Sequence, residues 1–111
     1  NGEEKLDFTY INDLMEGINL ICKKKESVNE IFNITYGKGR SVNELIKILK
    51  NHFPSLDVEY KDKEAFSPER GTLDTSKAKK LLNYESKFSI ETGYNLYIDW
   101  YKDFYLTLKN K

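Results

Sequence analysis

Apolar residues recur along this chain at helical spacing in four places and at strand spacing in only two short ones. That pattern limits the chain to a small, mostly helical α/β unit with about two short strands. Leu14, Ile18, Ile21 and Cys22 predict a first helix from about Asp13 to Lys24, with Asn12 or Asp13 as its cap. Ser41-Val42-Asn43-Glu44 is a capping box, and Leu45, Ile46, Ile48, Leu49 and Phe53 carry that helix on to Pro54. The same four residues recur at Ser27–Glu30 with no helical stripe behind them, so no helix is expected there. Asp74 or Ser76 opens a short helix through Leu82. Ser89 caps a long last one, striped by Ile90, Tyr94, Tyr97, Ile98, Tyr101, Tyr105 and Leu108. Glu30–Tyr36 reads as a buried strand that Gly37 and Gly39 break, and Leu56–Tyr60 as a half-exposed one. A helix between them allows a right-handed β-α-β crossover. Two strands make a marginal sheet, so these faces are expected to need neighbours that the chain does not supply.

The 111 residues suffice for one domain with a core of its own. Lys plus Arg and Asp plus Glu balance at 18 each, which leaves no net field to gather nucleic acid or anionic lipid. The local clusters at Lys23–Lys25 and at Lys77, Lys79 and Lys80 read as solvated faces. A single cysteine excludes an internal disulfide and a cysteine-based zinc site. Cys22 is expected as a buried, inert thiol on the first helix, and His52 as a capping or surface residue. With no membrane-length apolar run and no signal peptide, the expected compartment is the cytoplasm. The start at Asn1-Gly2 points to a fragment or processed product.

Five motifs in register give the chain a resemblance. Asp7-Phe8-Thr9-Tyr10-Ile11-Asn12-Asp13-Leu14, Ile31-Phe32-Asn33-Ile34-Thr35-Tyr36-Gly37 and Ser41-Val42-Asn43-Glu44-Leu45 come first. Arg70-Gly71-x-Leu73-Asp74-x-Ser76-Lys77-Ala78-x-x-Leu81-Leu82-x-Tyr84 follows, and then Ser89-Ile90-Glu91-x-Gly93 with Asp99-Trp100-Tyr101. In order and spacing they resemble the C-terminal part of the extended short-chain dehydrogenase/reductases, the NAD-dependent epimerases and dehydratases of nucleotide sugars.

The resemblance implies that residues 1–111 are a substrate-binding domain, and that an N-terminal Rossmann domain holding NAD lies outside this chain. It also implies that the family's catalytic Ser and Tyr-x-x-x-Lys group belongs to that absent part. The chain by itself is then expected to be catalytically silent and to bind no cofactor. The partners implied are a nucleotide-sugar substrate and the Rossmann domain, with dimers of the parent formed through Rossmann helices. Gly37-Lys38-Gly39 sits between strand and helix but lacks the third glycine and the acidic residue of a dinucleotide loop.

A diphosphate asks for Arg and a base asks for an aromatic face. Arg70 is therefore the expected phosphate contact, with Phe8 and Tyr10 at the nucleotide end. The family's Arg before Asp-Phe is Leu6 here, with Lys5 beside it. Asn33 is expected to tie its strand to a neighbouring loop, and Arg40 to trim the turn before the second helix. Two alternatives stand beside the enzyme reading: a non-catalytic binding or regulatory relative, and a stand-alone protein-binding α/β domain.

Overall fold

The computed structural model describes residues 2–62, 66, 68 and 70–109. It is mostly helical with one two-stranded sheet: β1 (Lys5–Leu6), α1 (Ile11–Lys23), a 3-10 turn (Lys25–Ser27), β2 (Arg40–Ser41), α2 (Val42–His52), α3 (Ser76–Leu82) and α4 (Ile90–Lys109). The strands pair antiparallel, Lys5 with Ser41 and Leu6 with Arg40. No helix among the described residues is long and apolar enough to cross a membrane.

The helix starts that the sequence marks are found. Ser41 caps α2 by accepting from the Glu44 N–H, while the Glu44 carboxylate accepts from the Ser41 N–H at 2.7 Å. The helix ends at His52, before Pro54. Ser89 Oγ accepts from the Thr92 N–H at the start of α4. Asp74 Oδ1 accepts from the Ser76 N–H at 2.8 Å where α3 begins. Asn83 ends α3 in the left-handed region, φ 58°, and the Tyr84 N–H folds back onto the Ala78 carbonyl. Asparagine tolerates that conformation because its short polar side chain bonds locally.

The two sequence-predicted strands are corrected. Neither Glu30–Tyr36 nor Leu56–Tyr60 joins a ladder among the described residues, and the first bends at Thr35. The antiparallel pair β1–β2 stands where a β-α-β crossover was allowed. Alternating apolar residues specify an extended chain and not the neighbour that would make it a strand. Residues 31–37 are held instead by side chains. Thr9 Oγ1 accepts from the Tyr36 N–H, the Tyr84 hydroxyl donates to the Thr35 carbonyl, and Ser86 donates to the Tyr36 carbonyl. The Asn33 amide donates to the Asp74 carbonyl at 2.9 Å, the tie expected of it. Of the polar stretch Lys61–Leu73, which holds Pro68 and Gly71 and no apolar period in sequence, residues 63–65, 67 and 69 lie outside the described residues.

The first helix is corrected too. It begins at Ile11 with Tyr10 as a cap that makes no side-chain bond, and its buried residues are Asp13 and Gly17. Cys22, Leu14 and Ile18 are exposed, so the thiol does not lie in the core. Two apolar stripes share this helix. The inner one brings Leu20 and Ile21 against the buried cluster Ala78, Leu82 and Tyr84, joined by Phe32 and Ile34. The sequence stripe mixed the two.

Gly17 lets the Ile34 segment approach α1: a Cβ there would meet Ile34 Cγ2 at 2.3 Å. α2 packs on α4, with Ile48 and Ile98 buried on them. His52 Nε2 meets Asn95 Oδ1 at 2.7 Å across that contact. Arg40 bridges the starts of the same helices, to Glu44 at 2.9 Å and to Glu91. The Arg40 hydrogen bond holds the Glu91 carboxyl down at about 2.

Two outcomes follow from this core. Gly17→Ala is expected to destabilise the protein by about 1–3 kcal/mol, the range for overpacking, although alanine is the better helix former. Urea denaturation measures it, and an unchanged midpoint would show that Ile34 yields freely.

The second outcome concerns Tyr84, whose hydroxyl burial pushes up to about 12, with Asp13 and then Asp7 adding to the rise. The folded value lies above the ordinary one near 10, so the stabilisation is complete below pH 10. It is lost as pH rises from about 10 to 12, where only the unfolded chain ionises. Denaturation midpoints between pH 8 and 12 should fall less steeply for Tyr84→Phe. Some fall remains, because burial and then Tyr97 raise Tyr94 as well.

Candidate functional site

Between the segment entering α1 and the start of α4 the chain leaves a cleft of about 300 Å³. Phe8, Thr9, Tyr10 and Ile11 form one wall, and Phe88, Ser89, Ile90, Gly93, Tyr94 and Tyr97 the other. Its rings interlock. Phe8 meets Tyr94 edge-on at 6.4 Å, Tyr10 lies 4.8 Å from Phe88, and Tyr94 meets Tyr97 at 6.0 Å. Gly93 permits the Tyr10 approach, since a Cβ there would lie 3.1 Å from the Tyr10 side chain.

Among the described residues, no Asp, Glu, Lys or Arg lines this cleft. Its aliphatic hydroxyls are already engaged: Thr9 accepts from Tyr36, and Ser89 caps α4. What remains is aromatic surface, which suits stacking on a flat ring rather than neutralising charge.

Two carboxylates place the walls. Asp13 is 2% exposed, and its oxygens accept from the Lys87 N–H at 2.9 Å and the Phe88 N–H at 3.0 Å, which fixes Phe88 opposite Tyr10. Asp13 is thus a buried clamp rather than a helix cap. Asp7 Oδ1 accepts from the Gly37 N–H at 3.1 Å and its Oδ2 from the Leu73 N–H at 3.2 Å, which joins three distant segments. Sequence reasoning assigned Asp7 no role. The available signal was two carboxylates bracketing one aromatic motif.

Of the residues the sequence singled out, Phe8 and Tyr10 come together on one wall. Arg70 is exposed, does not line the cleft, and makes no hydrogen bond or ion pair among the described residues. Phe88 and Tyr94 are lining residues that periodicity assigned to packing or passed over. The amides of the Gly37–Gly39 turn are occupied, Gly37 by Asp7 and Gly39 by Thr72 at 2.7 Å, and so do not form an open phosphate cradle. Among the described residues no three His, Cys, Asp or Glu side chains group to hold a metal ion.

Tyr105 and Lys109 have the Tyr-x-x-x-Lys spacing, a pattern that the sequence reading places wholly in the absent part. They stand near the end of α4, with Lys109 Nζ 4.9 Å from the Tyr105 ring centre and neither residue in the cleft.

No protein-family model matches the chain. Among curated proteins it is 36% identical over 105 residues to UDP-glucuronate 4-epimerase of Thermodesulfobacterium geofontis, covering 93% of this chain and 32% of that protein. Among solved structures, an epimerase of Methanothermobacter thermautotrophicus superposes with a TM-score of 0.90 at 22% identity, over 100% of this chain and 34% of the other. UDP-glucuronic acid 4-epimerase of Bacillus cereus, solved in complex with UDP-glucuronic acid and NAD, gives a TM-score of 0.81 at 26% identity, over 94% and 34%. The chain spans about a third of the length of each of these relatives. Its homologues and structural neighbours include epimerases and dehydratases of the extended short-chain dehydrogenase/reductase family, and it matches their C-terminal portion.

Asp13→Asn replaces one of two acceptors by an amide that cannot accept, and leaves a buried N–H of Lys87 or Phe88 unpaired. The expected loss is about 1–3 kcal/mol of stability in chemical denaturation. A loss below half of that would mean that the 87–88 backbone finds another acceptor.

Proposed function

We propose that this chain is the substrate-side portion of an NAD-dependent nucleotide-sugar epimerase or dehydratase, a domain spanning residues 1–111 that covers the sugar nucleotide beside a Rossmann domain. NAD held by that domain would supply the hydride acceptor for transient oxidation of the sugar. The catalytic Ser and Tyr-x-x-x-Lys belong to the same partner domain, so this portion alone does not turn over substrate. The work of this chain is positioning, which lowers the barrier by fixing the reacting geometry. Phe8 and Tyr10 offer aromatic faces to the base, and Arg70 offers a guanidinium fork to the diphosphate.

One observation carries this reading. Phe8 and Tyr10 share an uncharged aromatic cleft, while the carboxylate of Asp7, next to Phe8, holds the backbone three residues beyond Arg70. The likeness to an epimerase solved with a UDP-sugar and NAD supports it. Leu6, in place of the family's Arg, favours a second reading, a relative that binds the nucleotide without turnover.

Titration of the protein carrying this chain with uridine diphosphate, by calorimetry, tests the assignment. The unaltered protein is expected to bind, and Arg70→Ala to bind roughly ten- to a hundredfold more weakly, as for hydrogen bonds to a charged group. Unchanged affinity would remove Arg70 from the site. Absence of binding to the unaltered protein would end the nucleotide-sugar reading, and binding without turnover of UDP-sugars would select the second.

A further inference from the structure

Arg70 is exposed and has no partner of its own among the described residues, yet the chain just after it is fastened at successive positions. Thr72 Oγ1 accepts the Gly39 N–H at 2.7 Å. The Leu73 N–H donates to Asp7. The Asp74 carbonyl accepts from Asn33. A Cβ on Gly39 would sit 2.8 Å from Thr72 Oγ1, and one on Gly37 3.2 Å from Thr75 Oγ1, so both glycines leave room for this segment to lie close. Two residues of chain reach at most about 7 Å, so fastening Thr72 confines the Arg70 backbone to a small volume. The same Asp7 is the neighbour of Phe8.

We propose that Thr72 and Asp7 form a positioning clasp, which sets Arg70 relative to the aromatic cleft and so determines how tightly the diphosphate of the nucleotide is held; this rests on the functional reading above. Neither residue touches the ligand. Both act through Arg70: the Thr72 hydroxyl fixes the segment from outside, and the Asp7 carboxylate anchors it to the strand that leads into Phe8. Arg70 pays less ordering entropy on binding when its backbone is already confined. The Gly39–Thr72 bond is the one to break, because it is solvent-exposed and its loss leaves no buried group unpaired.

The test is a double-mutant cycle on the protein that carries this chain, read as uridine diphosphate affinity by calorimetry. Thr72→Val, which keeps the shape and removes the hydroxyl, is expected to weaken binding roughly three- to tenfold, the span of one ordinary hydrogen bond. Thr72→Ser, which keeps the acceptor, is expected to restore most of the affinity. In an Arg70→Ala background, Thr72→Val is expected to change nothing further.

Full additivity of the two substitutions, or equal losses for valine and serine, would overturn the clasp while leaving the nucleotide reading standing. The clasp also falls if Thr72→Val matters and Arg70→Ala does not. Failure of the unaltered protein to bind uridine diphosphate takes down the functional reading and the clasp together.

Discussion

The structure depends on side-chain oxygens accepting the backbone N–H groups that a sheet would otherwise satisfy. Every N–H taken from water needs a partner, and a chain with only two residues in each strand cannot supply them by ladders. Asp7 serves Gly37 and Leu73, Asp13 serves Lys87 and Phe88, Thr9 serves Tyr36 and Thr72 serves Gly39. Three of these four acceptors lie within residues 7–13. One short stretch therefore organises segments up to 75 residues away.

That arrangement explains what was readable in advance. Local signals held where the physics is local. Ser41 with Glu44, and Ser89, act as their positions imply, because each satisfies a backbone group within its own first helical turn, and α2 ends before Pro54. The expected strands failed because pairing is not local. Ile31–Tyr36 has the residues of a strand, but its hydrogen bonds go to Thr9, Tyr84 and Ser86. Cys22 was misplaced because α1 carries two apolar stripes, and periodicity alone does not say which faces inward. Asp7 and Asp13 escaped because a carboxylate that binds distant amides looks, in sequence, like a cap or a surface charge.

The proposed site divides by chemistry in a way the sequence only half expressed. The aromatic residues that the motif singled out, Phe8 and Tyr10, do face one another's neighbours across a cleft, joined by Phe88 and Tyr94. The cationic residue stands outside it on a segment of its own. A nucleotide is likewise divided, a flat ring at one end and a charged linkage beside it. Separate segments can then be adjusted one at a time, the cleft through packing and the Arg70 segment through its fastenings.

Phe32–Ile34 is held by side-chain packing and the Asn33 amide, with no neighbouring strand among the described residues, and this has a cost outside the native fold. A backbone row without a ladder is a template on which another copy of the same row can add. Lys77, paired with Glu30 and lying 5.2 Å from the centre of the Phe32 ring, puts charge at the margin of that row. Salt that screens this part-exposed pair should thus weaken the cover it gives to the Phe32 ring.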